Sequence, residues 1–286
     1  MRNSVILLPL VLVATVSTVA QSGAAESQTG ASRVALATVS DPRNRPLLDV
    51  SADDFVIEEA GAAREVLSVR PADYPIVILL DNGTDGRADL PFMRTAVAHF
   101  IDRIGQRPLA LGTLGNGPKL LTTFEDDRST VMARLNEVAP EETAARLMQG
   151  AALAGQTIRS TGSLFSAIVI LSATAADARQ GATDDLMAAV IDSGAILHVV
   201  ANRPAQPAGA LGPGSPLRTL AEERHGEFTT IYTAASYQAA LDRLADRLTT
   251  ELLIEYLVPV GSKPNDVKVG VRLIGARVRG LGVAPK

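Results

Sequence analysis

The sequence predicts an α/β fold. It is a doubly wound, mostly parallel sheet with helices on both faces, plus a small antiparallel β unit built from the N- and C-terminal segments. Three observations predict it. Ile76–Leu80, Ala167–Leu171 and Ala195–Ala201 are nearly unbroken apolar runs. A strand that is apolar at every position must be buried on both faces, as at the centre of a parallel sheet. Between these runs lie segments with apolar residues at helical spacing, and strands that alternate with helices pack as a sheet between helix layers. Strand character also returns at Ile254–Val258 and Val267–Val283, where it pairs with the N-terminal strands.

Each element follows in order. Arg33–Val39 is a strand, and Asp41–Pro46 is a turn rich in Pro and Asn. Phe55–Glu58 and Arg64–Val69 are short strands joined by Glu59–Ala62. After Ile76–Leu80, Asp89 caps a helix with Pro91 in its first turn. Met93, Val97, Phe100, Ile101 and Ile104 form its buried face. Leu109–Leu114 and Leu120–Phe124 form a hairpin about Gly115–Pro118. Ser129–Val138 and Glu142–Ile158 are helices, and Thr183–Ser193 is another between the second and third buried strands. Arg203–Gly214 is a Pro- and Gly-rich surface loop. A short helix starts at Ser215-Pro216, and Glu227–Thr233 is the last strand of the sheet. Ser236–Leu253 is a long amphipathic helix with a stripe of Tyr237, Leu241, Leu244, Leu248 and Leu252.

Composition excludes whole classes of chemistry. The chain has 286 residues, no Cys and three His. Disulfides, thiolate metal sites, iron–sulfur clusters and Cys nucleophiles are therefore ruled out. A net charge of -4 with no basic stripe argues against nucleic acid as a partner. Arg2 followed by the apolar run Val5–Ala20 has the form of a secretory signal peptide, with a small-residue cleavage site at Thr18-Val19-Ala20. Pro9 interrupts the run, which is shorter than the ~20 residues a membrane span needs. The expected division is a signal peptide over 1–20, a flexible leader over 21–32, an N-terminal β unit over 33–72, the α/β domain over 73–253, and C-terminal strands over 254–286. The expected location is periplasmic or secreted.

Ligands of a doubly wound sheet bind beyond the carboxyl ends of the strands. The loops there are Asp81-Asn82-Gly83-Thr84-Asp85-Gly86 and Ser172-Ala173-Thr174-Ala175-Ala176-Asp177. At this point the sequence resembles a von Willebrand factor type A domain, and more narrowly the bacterial exported VWFA-related domain proteins. Four segments carry the resemblance. They are Ser51–Glu59 (SADDFVIEE), the strand Ile76–Leu80 running into Asp81, Leu217–Gly226 (LRTLAEERHG) and Leu248–Pro259 (LTTELLIEYLVP). The match spans roughly Arg33 to Lys286, and it rests on the order of the segments.

The resemblance implies a metal-ion-dependent adhesion site: Asp-x-Ser-x-Ser after the first strand, a Thr from a second loop and an Asp after a later strand. Mg²⁺ takes octahedral oxygen ligands at about 2.0–2.1 Å, and Ca²⁺ tolerates less regular sets. This chain departs from the pattern. Asp81 matches the first position, Gly83 replaces the first Ser, Asp85 replaces the second, Thr143 falls at the Thr, and Ala173 replaces the last Asp. The metal candidates are Asp81, Asp85 and Thr143; the sequence establishes no cofactor, and an ion held there would be a weakly bound Mg²⁺ or Ca²⁺. Each has a simpler reading. Asp81 can cap backbone N–H groups at a strand end, Asp85 can sit in a solvated Asx turn, and Thr143 can cap a helix. The expected partner-binding rim is Asn82, Thr84, Ser172, Thr174 and Asp177, the last also readable as an exposed loop carboxylate.

Enzyme motifs are absent. There is no G-x-S-x-G elbow, no Walker A pattern, and the Gly112–Gly117 cluster leads into a strand. His99 lies on a helix, His198 reads as a hydrogen-bonded core residue, and His225 ends a helix. The expectation is a non-enzymatic, exported VWA-fold module with a degenerate metal site and a protein partner. The alternatives are a structural or assembly module with a vestigial site and, third, a hydrolase built around His198 or His225.

Overall fold

The computed structural model describes residues 30–174, 184–202 and 216–284. The expected signal peptide, most of the leader, Ala175–Asp177 and the Arg203–Gly214 loop lie outside the described residues. Six strands form the central sheet: β5 (Ile76–Leu80), β6 (Leu109–Thr113), β7 (Lys119–Leu120), β8 (Ala167–Ser172), β9 (Ile196–Asn202) and β10 (Glu227–Ile231). Their order is β10-β9-β8-β5-β6-β7, all parallel except β7. Ile76 of β5 lies opposite Leu109 of β6 and Ala167 of β8. The chain leaves β5 for β6 on one side and returns to β8 on the other. The switch point therefore falls at the carboxyl ends of β5 and β8, where such sheets bind ligands.

Strand alternation divides the core. Ile76, Ile78 and Leu80 point to one side, where α1 (Leu90–Arg103), α2 (Arg128–Glu137) and α6 (Ser236–Thr249) pack. Val77 and Leu79 point to the other, against α3 (Leu147–Thr161), α4 (Asp184–Asp192) and α5 (Pro216–Glu223). Both faces are covered, as the apolar runs require. No helix of the described residues is long and apolar enough to cross a membrane.

The terminal segments build the expected antiparallel β unit, as two sheets that share one core. One has the order β13-β1-β11-β4, the other β12-β2-β3. Here β1 is Gly30–Ser40, β2 Phe55–Glu59, β3 Ala62–Arg64, β4 Val66–Pro71, β11 Glu251–Pro259, β12 Val267–Val271 and β13 Arg277–Ala284. The four-stranded sheet is a middle layer. Val34 and Leu36 of β1 join the α/β core, while Ala35, Ala37 and Val39 join a second core with Phe55 and Ile57. The period of two thus lets one strand serve both cores. Arg33 is buried beneath this layer, ion-paired to buried Glu59 and donating from Nη2 to the Ser262 carbonyl at 2.6 Å.

Several boundaries differ from the sequence reading. The strand expected over Leu120–Phe124 is confined to Lys119–Leu120, and Val267–Val283 divides into β12 and β13. β1 starts at Gly30, inside the expected leader. The expected strand Arg64–Val69 is split between β3 and β4, which lie in different sheets. The helix expected from Glu142 starts at Leu147. The helix expected to run to Leu253 stops at Thr249, and Leu252 belongs to β11. Glu251 opens that strand fully buried, bonded through its carboxylate to the Tyr74 hydroxyl.

Candidate functional site

Asp81 directly follows β5 and is fully buried. Its Oδ1 accepts the Gly83 N–H at 3.0 Å. Its Oδ2 accepts the Ala173 N–H at 3.0 Å and the Ser172 hydroxyl at 3.3 Å. Burial pushes its pKa up and the nearby Asp85 adds to the rise, while the two N–H groups and the hydroxyl pull it down. The carboxylate thus closes the crevice between β5 and β8 with hydrogen bonds from the protein itself.

Asn82 fixes the neighbouring loops. It is 2% exposed. Its Nδ2 donates to the Ala139 carbonyl at 2.9 Å, its Oδ1 accepts the Gly115 N–H at 2.8 Å, and its carbonyl accepts the Glu141 N–H at 2.7 Å. Thr143 continues the stitching. Its carbonyl accepts the Thr84 N–H at 3.0 Å, and its Oγ1 accepts the Asn116 N–H at 2.6 Å. It caps a neighbouring loop, not a helix. Arg87 and Glu142 bridge the same loops at 2.5 Å.

Gly83 sits where these loops meet. A Cβ there would lie 2.6 Å from the Ala145 nitrogen and 2.7 Å from the Thr143 carbonyl oxygen. Both are backbone atoms, so the position has no room for a serine. The donor set therefore does not fit the metal that the resemblance implies. Gly83 and Ala173 carry no side-chain oxygen, both oxygens of Asp81 already accept protein donors, and the Thr143 hydroxyl oxygen accepts from Asn116. Among the described residues, no group of three or more His, Asp or Glu side chains is placed to hold an ion.

The expected rim divides by exposure. Thr84 and Asp85 are exposed, and Thr174 is half-buried. Asn82 and Ser172 are buried, with side chains spent on the loop framework. Asp177 lies outside the described residues.

A second group at the same end of the sheet is missing from the sequence reading. Asp89 does not use its side chain to cap α1. Its Oδ2 accepts Asn202 Nδ2 at 2.7 Å and lies 3.3 Å from the Tyr237 hydroxyl oxygen. The Tyr237 hydroxyl donates to the Ser172 carbonyl at 2.7 Å. Burial first, and then the charge of Asp89, holds that hydroxyl protonated far above its ordinary range. The signal available was Asn202, a polar residue at the carboxyl end of a mostly apolar strand.

Among the described residues the histidines form no hydrolytic constellation. His99 is exposed and lies 3.3 Å from Asp242. His198 is buried in β9, but neither ring nitrogen has a partner among the described residues, so the expected hydrogen bond is absent. Burial pushes its pKa down to about 3, helped by the charge of Arg247. His225 takes a positive φ of 59° and contributes its carbonyl to Arg247.

No protein-family model and no curated protein matches the chain. Solved structures do. Proximal thread matrix protein 1 from the mussel byssus is similar at 12% identity and a TM-score of 0.51, over 71% of this chain and 49% of that one. A second structure of that mussel protein, with zinc in its metal-ion-dependent adhesion site, gives 11% and 0.50, over 66% and 48%. This chain thus spans about half the length of the mussel protein. A von Willebrand factor type A protein from Catenulispora acidiphila gives 13% and 0.49, over 91% of this chain and 74% of that one. At such identities the likeness is one of fold. The α/β unit built on β5–β10 has the von Willebrand factor type A fold, flanked by two antiparallel sheets from the chain ends.

Proposed function

We propose that this chain is an exported, non-enzymatic binding module that holds a protein partner at the loop rim above β5 and β8 without a metal ion. One observation carries the reading. The loops that meet at Asp81 are already joined by protein hydrogen bonds, at the positions where the resemblance places metal ligands. A rim braced in this way is rigid before a partner arrives, and rigid loops lose little entropy on binding. Thr84 and Asp85 are exposed on that rim, with Thr174 half-buried beside them.

The test is differential capture. The chain from Gln21 and a Thr84→Glu/Asp85→Arg variant are immobilised and exposed to the cell-envelope fraction of the source organism, in EDTA and in Mg²⁺. The expected result is a protein retained by the wild type in both buffers and lost by the variant. Retention that needs Mg²⁺, or that is equal on both chains, contradicts the proposal.

A further inference from the structure

A cavity of about 360 Å³ lies between the β6–β7 hairpin and α2, and the loop after α2 closes one side. Small-molecule pockets have volumes of about 300–1,000 Å³. The strand register places polar groups in it. Thr113 lies two positions beyond Leu111 in β6, and Leu111 belongs to the core beneath α1, α2 and α6, so Thr113 faces the same way. Lys119 of β7 lies directly opposite Thr113, and cross-strand partners share a face. Arg134 and Glu137 come from α2, and Glu141 comes from the loop beyond it.

The Thr113 hydroxyl is unspent. The residue is 2% exposed, and its Oγ1 has no partner among the described residues. Thr122, also buried, accepts the Leu111 N–H at 2.8 Å. A buried hydroxyl left unpaired destabilises the fold, and one that lines a polar cavity marks the place of a hydrogen-bonding guest.

The charges around it are loosely held. Lys119 Nζ is 3.8 Å from Glu141 Oε1, too far for a direct hydrogen bond. Arg134 and Glu137 pair at 2.8 Å, but both are more than half exposed. Exposed pairs contribute little, so a guest exchanges for them readily. The lining thus offers two cations and two carboxylates. A plain anion would meet Glu137 and Glu141, and a plain cation would meet Lys119 and Arg134. A guest with one charge of each sign is complementary to both. In an α-amino acid a single carbon separates the ammonium from the carboxylate, which suits opposite charges as close as those of Lys119 and Glu141. Leu121 and Val138 give its side chain an apolar wall.

We infer that this cavity binds a free amino acid, its carboxylate held by Lys119 and the Thr113 hydroxyl and its ammonium by Glu141. The inference does not rest on the rim-binding reading, because none of Thr84, Asp85 and Thr174 lines the cavity.

Free amino acids of both hands are titrated by calorimetry into the chain from Gln21 in EDTA. At least one should bind. Its N-acetyl and amide forms, each lacking one charge, should bind at least about tenfold more weakly. Thr113→Val should lower the affinity about fivefold at an unchanged melting midpoint, because the hydroxyl has no protein partner to lose. Lys119→Met, at an exposed position, should lower it about tenfold and keeps the test readable if Thr113→Val weakens the fold. A cavity that takes no amino acid, derivatives that bind as tightly as their parent, or an affinity unchanged in both variants overturns the inference.

Discussion

The carboxylate of Asp81 accepts the backbone N–H of Ala173 at 3.0 Å. The two residues close adjacent strands, β5 and β8, and their bond fastens one rim loop to the other. The resemblance places metal ligands at both positions. In this chain one of them carries the acceptor and the other supplies a donor from its backbone.

Removing that acceptor should be costly. Asp81→Ala leaves the Gly83 and Ala173 N–H groups buried without a partner. Hydrogen bonds to a charged group contribute about 1.5–3 kcal/mol, and an orphaned buried donor costs a similar amount. The expected loss is about 3 kcal/mol, read from urea unfolding in EDTA. A loss seen only when a metal is present would give Asp81 a different role.

Restoring the serine expected at position 83 should also fail. A side chain there meets the backbone of Ala145 and Thr143 at under 3 Å. Overpacking of this kind costs about 1–3 kcal/mol. Gly83→Ser should melt lower than the wild type, and Mg²⁺ should not recover the difference. Recovery by Mg²⁺ would show that the loop opens to a ligand set.

The centre of the sheet was legible because β5, β8 and β9 carry nearly unbroken apolar runs, and that pattern depends on nothing distant. Two helix ends were not. Leu252 continues the spacing of Leu244 and Leu248, so periodicity alone carries α6 past Thr249. The chain turns into β11 there because Glu251 is drawn to Tyr74, 177 residues away. Likewise α3 starts late because the backbone of Glu141, Thr143 and Arg146 is bonded to Asn82, Thr84 and Leu114. The bonding of the candidate site residues was hidden for the same reason. Asn82 looked like a rim residue because it is polar and follows a strand. Its side-chain partners, Gly115 and Ala139, lie 33 and 57 residues away, and nothing local announces them.

His198 should make the fold sensitive to acid. Its folded pKa lies below the ordinary value of 6.5, at about 3. Between these values the unfolded chain binds the extra proton, so stability falls as pH drops below 6.5. The cost at pH 5 is about 2 kcal/mol. Asp81 and Glu251, whose pKa values are raised by burial, act with the opposite sign, favouring the folded state as pH falls. His198→Leu isolates the histidine. The variant should match the wild type within about 1 kcal/mol at pH 7.5, because neither ring nitrogen has a partner to lose. It should exceed the wild type by about 2 kcal/mol at pH 5. Parallel stability curves for the two proteins would contradict this assignment.

The buried Arg33–Glu59 pair joins the middle sheet to the outer one. Breaking one side of a buried pair costs about 3–5 kcal/mol, whereas replacing both sides by apolar residues is often neutral. Arg33→Met should lose about 4 kcal/mol in urea unfolding. Arg33→Met with Glu59→Leu should recover most of it. A double variant no better than the single one would mean that the Arg33 bond to the Ser262 carbonyl is what matters.

The central claim is that protein hydrogen bonds brace this rim in place of a metal. Its most direct test is the melting midpoint of the chain from Gln21 in EDTA and in excess Mg²⁺, Ca²⁺, Mn²⁺ or Zn²⁺. An ion at about 100 times its Kd adds about 2.7 kcal/mol to a folded state that binds it. In a chain of this size that raises the midpoint by roughly 5 °C or more. The account predicts midpoints that agree within about 1 °C in every buffer. A rise of several degrees with any one ion, absent in Asp81→Ala, would contradict it.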